Sequence, residues 1–310
     1  MPSAPRAPLP DISIRQLEYL VAVADAPSWR LAAEQVGVSP SALSQGLAEL
    51  ERRIGVHLFE PDGRRRVLRD TSVTVLDHAR RVVTATSDLV DWAAQMNAAG
   101  TGTVRLGMID VAAVEHFPEV LRAFRSEHPG VDLTLSVAPS NALLADLGSG
   151  RLDLVVCVEP PTTVDAVDLE PLLNESLVVY GPPDTSIESP ASWGPWVLFP
   201  AGSHTRRAID EALAARGARV DIAAESHQPD VLREMVLLGL GWTVLPRSQG
   251  ERSLDELTVG DELATRRLVL ARRRDAIVDP AVDELASRLR SHPPTRPRSQ
   301  TPPAPPTLPS

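Results

Sequence analysis

The residues that could perform chemistry in this 310-residue chain do not assemble into a catalytic set. Its seven His are scattered, with no His-Glu-x-x-His run, no Cys-His-Asp grouping and no pair at metal-ligand spacing. No glycine-rich phosphate loop opens a helix. The lone cysteine, Cys157, stands inside the apolar run Leu154–Val158 and reads as a buried structural thiol. His204 opens a helix without an acid–base partner nearby in sequence. What remains is hydrogen bonding without bond breaking. Ser39, Pro40, Ser41, Ser44 and Gln45 make a short polar set. A Gln amide matches the edge of adenine, Ser bonds phosphate or base, and Pro touches a thymine methyl. Simple capping and solvent exposure are the competing reading for part of this set. Ser28 and Arg30 stand just upstream, and Arg64, Arg65 and Arg66 follow Pro61-Asp62-Gly63. The three Arg are either a solvated charge run or a basic wing on phosphates.

The elements that must position this set are legible. Ser28 is a good N-cap, Leu31, Ala32 and Ala33 lead to Val36, and Gly37 supplies a left-handed stop. Ser39 caps a second helix with Pro40 at its first position. Leu43, Leu47, Leu50 and Ile54 form one apolar stripe on a 3.6-residue period. Short helix, Gly-containing turn, longer helix is a helix-turn-helix arrangement, whose second helix enters a major groove. Ile14, Leu17, Leu20, Val21 and Ala24 predict an amphipathic helix packed behind it. Val56 and Leu58, then Val67 and Leu68, predict a hairpin around Pro61-Asp62-Gly63. Gly46 is unexpected in mid-helix, costing about 1 kcal/mol relative to Ala; it either admits the DNA backbone or is tolerated.

The run RQLEYLVAVAD…SWRLAAEQVGVSPSALSQGLAELERRIGVHLF resembles the N-terminal domain of LysR-type transcriptional regulators. Helix lengths, the Ala-Ala and Leu-Glu pairs, the Val-Ser-x-x-Ala-x-Ser run and the Gly-Val-x-Leu-Phe ending all agree. RLGMID…FPEVLRAFRSEHPGVDLTLSV…LLADLGSGRLDLVV resembles the first half of that family's effector domain, shaped like a type-2 periplasmic binding protein. VLREMVLLGLGWTVLPRS resembles its closing motif, where Gly239 and Gly241 permit a tight turn. The resemblance spans about residues 12–292. It implies an N-terminal all-α winged helix-turn-helix with a long linker helix, then a C-terminal α/β two-lobed effector domain. The partners implied are double-stranded DNA, a small-molecule effector and further copies of the chain, as homodimer or homotetramer; no cofactor and no metal are implied. One departure stands out: Gln-Pro commonly occupies the positions of Pro40-Ser41, so Gln45 inherits more of the base reading here.

Taken in order, residues 1–11 are Pro-rich and expected to be disordered. The DNA-binding domain is expected at 12–70 and a linker helix at 71–99. The apolar positions of Thr74–Asn97 run without Gly or Pro for about 35 Å at 1.5 Å per residue. That exceeds what one small domain buries, so a second copy is expected to pair there. Ala98-Ala99-Gly100-Thr101-Gly102 reads as a flexible joint. Strands Val104–Met108, Val131–Val137 and Leu154–Val158, with helices Val114–Glu127 and Asn141–Gly148, predict a mostly parallel α/β unit. Glu159-Pro160-Pro161 reads as the first hinge into a second lobe. That lobe holds strands Leu177–Tyr180, Trp196–Phe199 and Trp242–Leu245 and helices His204–Arg216 and Asp230–Leu238. Strand Arg267–Ala271 returns and helix Asp279–Arg290 closes. The effector domain thus covers 103–292, with lobe I at 103–159 and 267–292 and lobe II at 160–266; 293–310 is a Pro-rich tail expected to be disordered.

Charge sharpens the picture. The net charge is -10, and every basic residue is Arg. Residues 1–100 carry 11 Arg against 12 acids, residues 101–310 carry 20 against 29. A near-neutral head binds DNA only through a few well-placed phosphate contacts, and the acidic body is expected to face away from the duplex. No apolar run approaches the roughly 20 residues of a membrane helix. The start lacks the apolar core of a secretory signal, and one cysteine excludes an internal disulfide framework, so a cytoplasmic location is expected.

A two-lobed module binds its ligand at strand C-termini and helix N-termini. Those positions are Met108, Ile109, Asp110 and Val111, then Ser140 and Asn141, Glu159, Ser203, His204, Thr205 and Arg206, and finally Ser226 and His227. Many family members place Ser or Thr after the first strand; here Asp110 would repel a carboxylate effector unless Arg206 offsets it. The expectation is an effector that is neutral, amino-bearing or largely apolar, with a simple helix-capping role for Asp110 as the alternative. A solute-binding protein and an enzyme fused to a DNA-binding head are the rival functions; the first hundred residues disfavour the former and the missing catalytic set the latter.

Overall fold

The computed structural model describes residues 11–62, 65–97, 102–187, 189–250, 256–277 and 279–292. The expected disordered start (residues 1–10), Gly63, Arg64, the joint at 98–101 and the tail at 293–310 lie outside the described residues. The chain divides into two compact units, residues 1–97 and 98–310.

In the first unit, α1 (Ile14–Asp25), α2 (Trp29–Gln35) and α3 (Pro40–Ile54) start where their caps predict. Ser13 and Gln16 form a reciprocal capping box, Ser28 Oγ accepts from Leu31 N, and Ser39 Oγ accepts from Ala42 N. Gly37 and Gly55 adopt left-handed φ values of 68° and 73° and end α2 and α3. Leu20, Ala32, Ala33, Leu43, Leu47, Leu50 and Leu58 close one core. Strands β1 (Phe59–Asp62) and β2 (Arg65–Leu68) follow, and Asp62 pairs with Arg65. Pro61 and Asp62 are therefore strand residues rather than turn residues, because the ladder runs two residues further than the Pro-Asp-Gly signal suggests. Val56 stays exposed outside the hairpin. Glu51 fastens this wing to α3 by accepting from the backbone N–H of Leu58 and Phe59 at 2.7 and 3.2 Å.

The long helix α4 (Val73–Asn97) buries Leu76, Ala79 and Thr84 against that core, and Arg80 bonds Asp25 of α1 at 2.5 Å. Beyond them Leu89, Val90 and Trp92 are exposed apolar side chains.

The second unit is built on a six-stranded sheet ordered β4-β3-β5-β10-β6-β9. Strands β3 (Thr103–Met108), β4 (Asp132–Val137) and β5 (Leu154–Val158) are parallel, as expected. Every residue of β5 is buried, which suits a central strand covered on both faces. The expected helix from Val114 is instead a π-helical turn, Ala112–His116, then α5 (Pro118–Glu127), because Pro118 cannot donate into a continuous helix and restarts it. Helix α6 (Ser140–Gly148) returns to β5.

The larger correction concerns the crossing between lobes. Strand β6 (Val167–Gly181) and strand β10 (Thr258–Arg273) form one long antiparallel ribbon spanning two cores. Val167, Leu169, Leu172 and Leu173 pack in the first core, which also holds β3 and β5, whereas Leu177–Tyr180 pack in the second. The crossing therefore falls at Asn174-Glu175-Ser176 opposite Thr265-Arg266-Arg267, not at Glu159-Pro160-Pro161, and 160–173 belongs with the first lobe. Alternating polar residues on the half-covered ribbon hide its length from an apolar-run reading. The second core adds β7 (Trp196–Leu198) paired with β8 (Ile222–Glu225), α7 (His204–Ala215), α8 (Pro229–Leu237), β9 (Thr243–Pro246) and the short α9 (Arg247–Gly250). Gly241 has φ 157°, and a Cβ there would sit 2.3 Å from the Pro195 carbonyl oxygen, so only Gly fits the turn into β9. Helix α10 (Pro280–Ser291), capped by Asp279, closes against the first core.

Candidate DNA-reading surface and effector cleft

On α3, burial of Leu43, Leu47 and Leu50 turns Pro40, Ser41 and Gln45 outward, with Ser44 half-buried between them. Ser28 and Ser39 are exposed, and each hydroxyl oxygen already accepts a cap bond, so what they offer a partner is the O–H. Arg30 is exposed on α2 and pairs with Glu34 at 2.6 Å. The backbone of Arg65 lies in β2, while Arg64 is outside the described residues. Arg66 differs from the expected free wing cation: its guanidinium lies over the rings of Trp29 and Phe59 at 5.5 and 5.7 Å, with Glu51 at 3.9 Å. Its first role is to pin the hairpin to α2. Lower on α3, Glu49 is clasped by Arg52 and Arg53, whose hydrogen bonds hold its carboxyl down at about 2.

Gly46 also has a different explanation. A Cβ at this position would lie 2.7 Å from two ring atoms of Tyr19 on α1. The glycine serves helix–helix approach inside the unit and is not a DNA-facing opening.

In the second unit a cavity of about 250 Å³ opens between the two cores. Of the expected effector residues, Ile109, Asp110, Ser140, Asn141, Ser203, His204, Thr205 and His227 line it. Met108 and Val111 do not: both are fully buried in the first core. Glu159 is exposed and faces Arg267 at 3.3 Å. Ser226 caps the approach to α8, accepting from Gln228 N. Arg206 points away from the cleft, bound to Asp210 and Glu225 at 2.8 and 2.7 Å and donating to the Phe199 carbonyl. It therefore does not offset Asp110.

The cation at the cleft is Arg266 of β10, which the sequence reading missed. It faces Glu175, its register partner on β6, with Nε and Nη2 at 2.8 and 2.7 Å from the carboxylate, and Nη1 donates to Thr205 Oγ1 at 2.7 Å. The other carboxylate oxygen of Glu175 meets His116 Nε2 at 2.6 Å. All four side chains are buried. Burial pushes Glu175 up, but Arg266 and His116 more than offset it and hold the carboxyl below its usual range. Glu175 and Arg266 sit at the lobe crossing, His116 on the first-core side and Thr205 at the start of α7, so the network forms a polar waist. No pattern in the string Thr265-Arg266-Arg267 distinguishes the buried Arg from its exposed neighbour; only the ribbon's register does.

Two further bonds cross the cleft. His204 Nδ1 lies 3.2 Å from the Val158 carbonyl, which can only accept, so Nδ1 carries the proton. Gln249 Nε2 donates to Asp110 Oδ2 at 3.4 Å, while Asp110 Oδ1 accepts from Val111 N at 2.7 Å. Burial raises the Asp110 carboxyl above its usual range, against the lowering effects of Val111, Arg266 and Gln249. Cys157 is buried in β5, and burial alone pushes its thiol up to about 12. Among the described residues no group of His, Cys, Asp and Glu is placed to hold a metal ion, and no helix is long and apolar enough to cross a membrane.

A helix-turn-helix with an exposed recognition face, joined to a two-core module with a cleft at its waist, defines a ligand-responsive DNA-binding regulator. The comparisons give the family. The chain matches "Bacterial regulatory helix-turn-helix protein, lysR family" over residues 14–73 and "LysR substrate binding domain" over residues 97–294. It is 32% identical to a probable hydrogen peroxide-inducible genes activator of Streptomyces viridosporus, over 90% of this chain and 93% of that one. It is 29% identical to the RuBisCO operon transcriptional regulator of Allochromatium vinosum, over 83% and 84%. Among solved structures it resembles a full-length OxyR variant from Pseudomonas aeruginosa (TM-score 0.64, 22% identity, 93% of this chain and 98% of that one). It also resembles the LysR-family regulator CbnR (TM-score 0.59, 18% identity, 90% and 98%), which has been solved with its target DNA as well. The chain belongs to the LysR family of DNA-binding transcriptional regulators.

Proposed function

We propose that this chain reads its operator with the exposed face of α3 and is controlled by a small molecule bound in the cleft between its two cores. The observation that carries this reading is the cleft itself: it lies at the waist, where a ligand touching Asp110 on one side and Thr205 and His204 on the other can bias how the cores close. Pro40, Ser41, Ser44 and Gln45 supply base contacts, Ser28, Ser39 and Arg30 flank them, and Arg65 supplies phosphate affinity. The exposed Leu89, Val90 and Trp92 of α4 pair with a second copy, which puts two recognition helices on half-sites about one helical turn apart or a multiple of it. Closure of the cleft then changes the packing of subunits and the bend imposed on DNA. The chain acts in the cytoplasm, without catalysis.

One relative is a probable hydrogen peroxide-inducible activator. A thiol response to such a signal is disfavoured in this chain, whose one cysteine is buried with its thiol pushed up to about 12. Non-covalent binding in the cleft is the reading that fits. Sequencing the genomic fragments that the purified full chain retains, followed by anisotropy on those fragments with and without candidate ligands, tests the proposal. A partly palindromic consensus whose affinity or footprint changes with ligand is expected. Retention of fragments without any shared sequence overturns it.

A further inference from the structure

Resting on the reading of the cleft as the effector site, we propose that its ligand is a small primary ammonium compound with a compact apolar body, its ammonium held by Asp110.

The polar groups around the cavity set the class. Every nitrogen of Arg266 is already engaged, Nε and Nη2 with Glu175 and Nη1 with Thr205, so its charge is answered within the waist. Arg206 is turned into the second core, bound to Asp210, Glu225 and a backbone carbonyl. Among the described residues, no other Arg lines the cavity. At the start of α7 the cap is used as well, Ser203 accepting from Arg206 N, and on α6 Asn141 Oδ1 accepts from Ala142 N. A carboxylate entering this cleft meets one guanidinium, and that one is already neutralised by Glu175.

Acceptors, by contrast, are in excess. Asp110 lines the cavity with no guanidinium bonded to it; its partners are one backbone N–H and a long 3.4 Å contact from Gln249. Behind Asp110, outside the cavity lining, the amide oxygen of Gln249 is more than nine-tenths buried and has no hydrogen-bond partner. His204 uses its Nδ1–H on Val158, so in the neutral ring Nε2 is a further acceptor. Around the waist two carboxylates, Asp110 and Glu175, stand against one guanidinium. An ammonium brings the missing positive charge and three donors at once. The rest of the wall is Ile109, Val137, Ala138, Pro139, Val158 and Phe199, which asks for an apolar body. A volume of about 250 Å³ keeps that body small, below the range of drug-sized sites. Because Gln249 of α9 already donates to Asp110 across the cores, an ammonium on Asp110 would act beside a contact that joins them.

The test uses three probes with one ring and different heads: benzylamine, benzyl alcohol and benzoate, titrated calorimetrically into the full chain. Benzylamine is expected to bind at least tenfold tighter than the other two, and Asp110→Asn to weaken it by about 10- to 100-fold, the range of a charge-assisted hydrogen bond. Asn141→Trp, at an exposed position on the cavity rim, is expected to abolish it. Three results overturn the ammonium assignment: benzoate binding as tightly as the amine, benzylamine affinity unchanged in Asp110→Asn, or no saturation by benzylamine below about 10 mM. If benzoate binds and Asn141→Trp removes it, the cleft remains the effector site and only the ammonium class fails. Probe binding indifferent to both substitutions removes the cleft itself.

Discussion

Two ion pairs one residue apart on β10 should differ by orders of magnitude in what they contribute. Arg266–Glu175 is buried on both sides, with side chains 5% and 4% exposed; Arg267–Glu159 is 48% and 42% exposed at 3.3 Å. Replacing Glu175 by Gln leaves the Arg266 guanidinium buried without its counter-charge and turns an amide N–H toward His116 or Arg266, both donors. Breaking a buried pair from one side costs about 3–5 kcal/mol, whereas an exposed pair is worth about 0–1 kcal/mol. At 1.36 kcal/mol per decade, Glu175→Gln should raise the opening constant of the waist by roughly 10²- to 10⁴-fold, and Glu159→Gln by less than about fivefold. Hydrogen exchange of the full chain, read on peptides covering Val167–Gly181 and Thr258–Arg273, measures this directly, because these strands report opening of the ribbon. Glu175→Leu with Arg266→Met removes both charges and should recover most of the protection, since the cost lies in the stranded charge rather than in the lost pair. A Glu175→Gln effect no larger than that of Glu159→Gln refutes the waist as an energetic feature of the fold.

Three further substitutions probe the head and the cleft. Gly46→Ala should destabilise the first unit despite the helix propensity of Ala, because its methyl meets the Tyr19 ring; in a Tyr19→Ala background the same change should stabilise by about 1 kcal/mol. Urea unfolding of the four variants shows whether the sign reverses. Gln45→Ala should weaken binding to a selected operator by about 1–3 kcal/mol while leaving nonspecific DNA affinity intact, checked by anisotropy on both DNAs at one salt concentration. Asp110→Asn should raise the thermal midpoint near neutral pH and flatten its pH dependence. The folded carboxyl has a raised pKa, so Asp110's own contribution to stability is fullest below the usual Asp range and is lost as pH rises through the folded value. A midpoint that falls in Asp110→Asn at neutral pH counts against this burial cost.

The head was readable residue by residue because its signals are local. Ser28, Ser39 and Pro40 mark helix starts within three residues of the bonds they make, and Leu43, Leu47 and Leu50 repeat on the helical period. The cleft was half readable: Asp110, Ser140, Asn141, Ser203, His204, Thr205 and His227 follow from the rule that ligands sit at strand and helix ends. Arg266, Glu175 and His116 were invisible, since their meeting depends on the register of β6 against β10 and on 59 to 91 residues of intervening chain. Arg206 misled for the same reason. A cation at a helix start looks available to a ligand until Asp210, one turn on, and Glu225, on β8, are seen to claim it.

These observations converge on an asymmetry in the cleft. Buried charge is tolerated where it is answered, and at the waist Arg266 answers Glu175 while His116 and Thr205 complete the bonds. Asp110 is answered only by a backbone amide and a stretched Gln249 contact, so its carboxylate is the unbalanced charge on the cavity wall. A group that costs stability and lines the proposed effector site is a reservoir that binding could draw on: a cation bonded to Asp110 would recover the desolvation cost and gain the contact in one step. Under the proposed reading, the same carboxylate that burial makes costly is the one that would set the strength and the sign of ligand selectivity in the cleft.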